Sequence, residues 1–204
     1  YGFKIHSHLM VNLLGATPEA DKQDFKTFVT DPGFLPDEIK LYPCALVSGT
    51  QLVQKYREGA WQPYAKDELV DVLVQDVLAT PPYVRISRMI RDISATDILV
   101  GNKHTNLRQM VEQELAAEDV ASRVQEIRFR EINQQQVRAA ELTLQDFTYT
   151  TAVSDEHFLQ WVTTDNKIAG FCRLSLPHWD KLTAGACDVT ANELLVQPGQ
   201  AMIR

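Results

Sequence analysis

Several features that define common protein classes are missing from this chain of 204 residues. It has no run of about eighteen apolar residues, which is the length a transmembrane helix needs, so we expect no membrane span. The patterns GxxxxGKS/T, GxGxxG, GxSxG and HExxH are also absent, which removes the usual nucleotide-binding, hydrolase and metalloprotease motifs. The chain has neither a basic leader with an apolar core nor an initial Met, so we expect a fragment of a longer protein.

Cysteine is scarce. Cys44, Cys172 and Cys187 lie far apart and show no CxxC spacing that would build a zinc or iron–sulfur site among themselves. We interpret them as buried free thiols, because nucleophilic catalysis by Cys44 would need an activating histidine that the sequence does not identify. An odd number of cysteines without a secretory leader favours a cytoplasmic location.

Basic residues are concentrated in one segment of an acidic chain. The net charge of −7 argues against a uniformly basic nucleic-acid coat. Between positions 82 and 110, however, five basic residues face two acidic ones. Arg88, Arg91 and Asp92 follow a predicted strand there, where two arginines could hold a phosphate or carboxylate. A solvated surface pair explains the same residues equally well.

The first half of the chain alternates predicted strands and helices. Thr17, Pro18 and Glu19 predict a helix start, and the segment from Asp31 to Gly33 ends that helix. Apolar spacing predicts a long helix over 66–78, between strands over 39–42 and 83–87. Further helices are predicted over 50–57 and 106–119. This order favours a parallel sheet with helices outside it, as the latter part of a larger barrel.

The second half has a different texture. Residues 116–136 are rich in Glu, Gln and Arg and read as a polar connector. Alternation predicts strands over 142–151 and 167–176, and Asp165 with Asn166 predicts a hairpin turn. Residues 182–199 have loop composition. We therefore expect a second domain that opens with antiparallel sheet.

Lys4, His6 and His8 occupy alternate positions, so they share one face of an extended segment, with Phe3, Ile5 and Leu9 on the other. Two imidazoles in this arrangement are typical of metal-dependent amidohydrolase barrels, which need further ligands from later strands. Packing or hydrogen-bonding histidines are the alternative. We predict no metal site.

Five runs of the sequence resemble, in the same order, one known family. KIHSHLMVNLLGATPEADKQDFK, IKLYPCALVSGTQL, YREGAWQPYAKDELVDVL, PPYVRISRMIRDIS and NKHTNLRQ resemble the latter half of the radical S-adenosylmethionine (SAM) domain of the Elongator catalytic subunit family. The run EIRFREI resembles that family's linker. Residues 148–176 are similar to the start of its acetyltransferase domain, and residues 201–204 to the segment before its central strand.

The resemblance implies an α/β fold in three parts. Residues 1–115 would be the latter part of a TIM-like radical SAM barrel, and residues 116–138 a linker. Residues 139–204 would be the N-terminal part of a GNAT-type α+β acetyltransferase domain. Some members bind zinc through linker cysteines, but Val124, Glu126 and Phe129 occupy those places here, so no zinc is expected.

The resemblance also implies an activity, namely modification of tRNA at C5 of the wobble uridine with acetyl-CoA and a SAM-derived radical. The ligands of the 4Fe–4S cluster and the main acetyl-CoA loop would lie outside this chain. The implied partners are tRNA and either a second copy of the chain, as a homodimer, or Elongator-type subunits. No contact with a membrane is implied. A non-catalytic tRNA-binding scaffold and the amidohydrolase-like barrel remain as alternatives.

Site residues follow from the resemblance by position, and none is assigned a catalytic role. The residues expected to bind substrate or SAM are Lys4, His6, His8, Met10, Arg88, Arg91 and Asp92. The residues expected to contact tRNA phosphates are Asn106, Arg108, Arg123, Arg128 and Arg130; phosphate contacts position an RNA without specifying its sequence.

Overall fold

Three parallel strands with helices against one face form the first half of the chain. The computed structural model describes residues 3–91, 93–94, 96–183 and 198–204. In chain order the elements of this half are β1 (His6–Val11), α1 (Pro18–Thr30), β2 (Glu38–Pro43), β3 (Leu46–Val47), α2 (Leu52–Arg57), α3 (Lys66–Ala79), β4 (Arg85–Arg88), β5 (Ile98–Val100) and α4 (Leu107–Leu115). The parallel sheet has the order β1-β2-β4, and β3 pairs with β5 in a separate antiparallel ladder.

The predicted helix signals are confirmed. The Thr17 hydroxyl accepts a hydrogen bond from the Ala20 N–H at 3.2 Å, which caps α1, and Pro18 occupies the first helical position. The helix ends before Asp31, as predicted. The long helix predicted over 66–78 is α3, and the helix predicted over 106–119 is the shorter α4, which ends at Leu115.

Alternation along the strands separates an apolar face from a polar one. Ile39 and Leu41 of β2 and Ile86 of β4 are buried in the core that includes residues of α1 and α3. The opposite face of the sheet carries polar side chains. Phe3 and Ile5, expected on the face opposite the histidines, precede β1, which begins at His6, and they are 67% and 47% exposed.

The polar connector is packed rather than solvated. It forms two short helices, α5 (Glu118–Ala121) and α6 (Ile127–Arg130). Val124 and Ile127 belong to the same hydrophobic core as the parallel sheet. The connector is therefore fixed to the first half of the chain.

An antiparallel sheet forms the second half. After a 3₁₀ turn (Ala139–Glu141) its elements are β6 (Thr143–Thr150), β7 (Ser154–Val162), β8 (Ile168–Pro177), α7 (Trp179–Thr183) and β9 (Met202–Ile203), with the strands in sequence order. Asn166, at φ +63°, turns the chain between β7 and β8 as predicted. Most of the loop expected over 182–199, with Cys187, lies outside the described residues.

The two sheets meet at a junction of aromatic and charged side chains. Tyr83, before β4, stacks on Tyr149 of β6 with ring centroids 3.7 Å apart. Phe158 of β7 is fully buried and belongs to the same core as the parallel sheet. In the described part of the chain, no helix is long and apolar enough to cross a membrane.

Candidate functional site

A cavity of about 260 Å³ lies where the parallel strands end. It is lined by Met10 near the end of β1 and Pro43 at the end of β2, and by Ile90 and Arg91, which follow β4. The loop after β5 and Thr50, before α2, supply the rest of its polar lining. Ligands of parallel α/β sheets bind outside the carboxyl ends of the strands, so this cavity is the candidate site.

Tyr42 connects the cavity to the polar face of the sheet. The Arg91 guanidinium carbon lies 6.0 Å from the centroid of the Tyr42 ring. On the other side, the His8 ring meets Tyr42 edge-on at 5.8 Å. His8 and Arg91 therefore both approach the Tyr42 ring, which is only 7% exposed, and both are residues that the resemblance implied.

Lys4 and His6 lie at the far end of β1. At about 3.3 Å per residue, His6 is roughly 13 Å along the strand from Met10. Lys4 forms an ion pair with Glu38, and His6 Nε2 lies 3.7 Å from Glu38 Oε1. Partial burial lowers the pKa of His6, although Glu38 acts in the opposite direction. The structure thus places these two residues around Glu38 and away from the cavity.

Arg88 and Asp92 are the remaining residues that the resemblance implied for binding substrate or SAM. Arg88 is the last residue of β4 and pairs in register with Lys40. It is exposed. Asp92 lies outside the described residues. Cys44 does not line the cavity, and burial raises the pKa of its thiol, which disfavours the reactive thiolate.

The two histidines of β1 are close together. Their ring centroids are 5.5 Å apart. Across residues 3–91, 93–94, 96–183 and 198–204, no three His, Cys, Asp or Glu side chains come together as a set that could hold a metal ion. The amidohydrolase alternative requires such further ligands, and the described residues do not supply them.

The residues expected to contact tRNA occupy two kinds of position. Asn106, Arg123 and Arg128 are exposed. Arg108 instead donates to the Ile86 carbonyl at 2.6 Å and to Glu126 at 3.1 Å. Arg130 is 2% exposed and donates to main-chain carbonyls at 2.9 and 3.2 Å. The structure therefore gives Arg108 and Arg130 interior contacts, and the tRNA contacts of all five residues stay predictions.

Residues 36–117 match the Radical_SAM C-terminal domain family. The chain is 37% identical over 180 residues to a tRNA uridine(34) acetyltransferase of Dehalococcoides mccartyi, which covers 87% of this chain and 39% of that protein. It is 30% identical over 178 residues to human Elongator complex protein 3, covering 85% and 32% respectively. Among solved structures it is similar to an Elp3 of the archaeon Methanocaldococcus infernus with residues 1–46 deleted. The TM-score is 0.78 at 31% identity, covering 85% of this chain and 42% of that one.

The chain belongs to the Elongator catalytic subunit family. It spans less than half the length of these relatives. The α/β fold matches that of the archaeal Elp3.

In this Elongator family chain, the sequence did not predict the group of hydrogen bonds around Asn12, directly after β1. Asn12 adopts φ +62° and is 4% exposed. Its side chain donates to the Gln62 carbonyl at 3.1 Å and accepts from the Tyr64 N–H at 3.0 Å, while its N–H donates to Asp21 at 2.7 Å. The only available signal was an asparagine directly after a strand, which is tolerant of positive φ.

The loop after β5 was also missed as a contributor to the site. Lys103 is one of the five basic residues between positions 82 and 110, and neither Lys103 nor His104 was predicted to belong to the site. Both line the cavity beside Arg91, together with Asn102 and Thr105. Because the loop and Arg91 are separated by more than ten positions, only the fold brings them together.

Proposed function

We propose that this chain is part of an enzyme that modifies the wobble uridine of tRNA at C5, using acetyl-CoA and a SAM-derived radical. The observation that carries the proposal is the cavity at the carboxyl ends of β1, β2 and β4, in a chain whose relative is named a tRNA uridine(34) acetyltransferase. A cytoplasmic location and tRNA as partner belong to the same proposal, as does assembly with itself or with Elongator-type subunits.

The proposed domain organisation has three parts. Residues 1–115 are proposed as the latter part of a TIM-like radical SAM barrel, supported by the parallel order β1-β2-β4 and the family match over 36–117. Residues 116–138 are the proposed linker. Residues 139–204 are proposed as the N-terminal part of a GNAT-type domain, supported by the antiparallel sheet β6-β7-β8-β9.

The cavity has side chains that fit SAM, whereas the described residues do not supply the cysteine ligands of a 4Fe–4S cluster. Met10 and Ile90 offer apolar contacts, which fit an adenosyl group. When bound, SAM supplies the radical. Among the described residues, Cys44 follows β2 while Cys172 lies in β8 of the other sheet, so these two cysteines do not form a ligand set for an iron–sulfur cluster.

The proposed roles of the substrate residues follow their positions. Arg91, Met10 and His8 lie at or beside the cavity and would hold SAM or the flipped uridine. Lys4 and His6 lie farther along the same polar face and would contact parts of the tRNA that extend beyond the cavity. Arg88 would stand at the exposed end of β4.

The proposed RNA surface uses the exposed residues of the predicted set. Arg123 and Arg128 would contact phosphates from the linker, with Asn106 at the start of α4. Arg108 and Arg130 would position the linker on β4 rather than contact RNA, because Arg108 is bonded to the buried Glu126 and Arg130 is only 2% exposed. Arg128 also donates to a protein carbonyl, that of Ser87 at 2.5 Å, but its side chain is exposed.

The test is nucleoside analysis by mass spectrometry of tRNA incubated with the full-length protein, SAM and acetyl-CoA. Arg91→Ala should lower formation of the C5-modified uridine by about tenfold or more, since a charge-assisted contact contributes about 1.5–3 kcal/mol. Arg57→Ala, an exposed arginine of α2 that does not line the cavity, should leave it unchanged. tRNA that is bound but never modified by the wild type would support the scaffold alternative instead.

A further inference from the structure

Three basic side chains line one cavity, and no described residue places an acid opposite them. Arg91, Lys103 and His104 all line the cavity at the carboxyl ends of the strands. No carboxylate is among the described residues that line it. Neither Arg91 nor Lys103 forms an ion pair with an acid of the described chain. Uncompensated cations that converge on a cavity attract an anion.

The loop that carries two of these basic side chains, Lys103 and His104, is held in place. Gly101 adopts φ +116°, and a Cβ there would lie 3.2 Å from the Cα of Ala45. Asn102 accepts from the His104 N–H at 3.3 Å and donates to the His104 carbonyl at 3.2 Å. The loop is therefore pre-organised, which lowers the entropy cost of binding.

The rest of the lining limits what the anion is attached to. Met10, Ile90 and Ile98 present apolar surface, and Thr50 and Thr105 present hydroxyls. The volume of about 260 Å³ lies just below the usual range for small-molecule sites, about 300–1,000 Å³. One nucleotide, with a planar base and a single phosphate, suits this combination of size and chemistry.

We infer that Arg91, Lys103 and His104 form a phosphate subsite that holds the phosphate of one RNA nucleotide in this cavity. Arg91 can donate two parallel hydrogen bonds to phosphate oxygens. Lys103 adds a point charge, and the His104 ring has an N–H donor in either tautomer. The assignment of the phosphate to RNA rests on the proposed function, but the subsite itself does not.

The test compares uridine 5′-monophosphate with uridine, in calorimetric titrations of the full-length protein at low salt. The monophosphate should bind about tenfold or more tightly. Lys103→Ala should reduce that advantage several-fold without changing uridine affinity, and Lys103→Arg should retain it. Lys26→Ala, an exposed lysine of α1, is the control and should have no effect. Raising the salt concentration should reduce the advantage by screening.

Two outcomes would overturn the subsite. One is equal binding of the two ligands by the wild type, or no binding of either. The other is that Lys103→Ala weakens S-adenosylhomocysteine but not the monophosphate, which would assign the cations to an amino-acid carboxylate. A protein that prefers the monophosphate as expected, yet leaves tRNA unmodified, would overturn the proposed function and leave the subsite standing.

Discussion

Asp37 and Arg173 form a buried ion pair across the junction of the two sheets. Arg173 Nε lies 3.2 Å from Asp37 Oδ1, and the two side chains are only 6% and 3% exposed. Arg204 Nη1 lies 3.0 Å from the other oxygen of Asp37, and its Nη2 lies 2.5 Å from Glu156 Oε2. One carboxylate thus holds cations from both β8 and the C-terminal end, which fixes the antiparallel sheet beside the start of β2.

Removing that carboxylate should destabilise the protein strongly. Asp37→Ala leaves the buried Arg173 guanidinium without its carboxylate partner, removes one of the two carboxylate partners of Arg204, and removes the acceptor for the Ile5 N–H. Breaking a buried pair in this way costs about 3–5 kcal/mol, measured as the free energy of unfolding in urea. Asp24→Ala, at an exposed carboxylate of α1, should stay within about 0.5 kcal/mol. A loss below about 1 kcal/mol for Asp37→Ala would contradict the role assigned to the pair.

Glu126 should be the residue that attaches the linker to β4. It is fully buried, and its carboxylate accepts from the main-chain N–H groups of Ile86 at 2.7 Å and Phe129 at 2.8 Å, and from Arg108 at 3.1 Å. Glu126→Ala should lower the unfolding free energy by at least about 3 kcal/mol, because it leaves buried donors unpaired.

Glu112→Ala provides the matched comparison. Glu112 binds the same guanidinium, that of Arg108, at 2.6 Å, but its side chain is 40% exposed. Its loss should cost less than about 1 kcal/mol, as for surface pairs. Equal effects of the two substitutions would show that the linker is not held by Glu126.

Local patterns predicted the long helices and most of the long strands of the described chain, but not the nine-residue β7. That strand alternates strictly, yet its buried face carries Ser154, Glu156 and Gln160 as well as apolar residues, while Trp161 is exposed. Ser154 and Glu156 are buried because they bind each other and Glu156 binds Arg204, while Gln160 binds Gln145 of β6 at 3.2 Å. A pattern of hydrophobicity cannot reveal a face that is buried through ionic contacts with a distant segment.

The residues of the candidate site were likewise only partly predictable from the sequence. The resemblance named Met10 and Arg91, which the structure brings to one cavity. It also named Arg130 for tRNA contact, and the sequence gives no sign that this side chain is 2% exposed. A charged residue is expected at the surface, so its burial depends on carbonyls supplied by the fold.

Asp76 should make stability depend on pH. It is 1% exposed on α3, and neither carboxyl oxygen has a hydrogen-bond partner in the described structure. Burial raises its pKa to about 8, with Asp21 adding to the shift and Lys22 opposing it. Since the unfolded value is about 3.9, the folded chain keeps a proton that the unfolded chain releases between about pH 4 and 8.

Stability should therefore be greatest below about pH 4 as far as this group is concerned, and fall as the pH rises to about 8. Asp76→Asn should remove roughly 1–3 kcal/mol of the decline in unfolding free energy between pH 5.5 and 7.5. Asp24→Asn should leave the decline as it is in the wild type. A decline that is identical in Asp76→Asn and wild type would assign the pH dependence to other groups.

Asn12 should stabilise the end of β1 in two separable ways. Its backbone sits at φ +62°, and its buried side chain bonds Gln62 and Tyr64. Asn12→Gly keeps the backbone relaxed but loses those bonds, which should cost about 1–3 kcal/mol in urea unfolding. Asn12→Ala should cost about 1–2 kcal/mol more, because an alanine is strained at this φ.

Asn133 separates the two contributions. It also has positive φ, at +51°, but it is exposed. Its replacement by Gly should therefore be nearly neutral, while its replacement by Ala should show only the backbone penalty. If Asn12→Gly proves as harmless as Asn133→Gly, the hydrogen bonds of Asn12 do not stabilise the strand end. The position of Met10 at the cavity would then depend on the parallel pairing of β1 with β2.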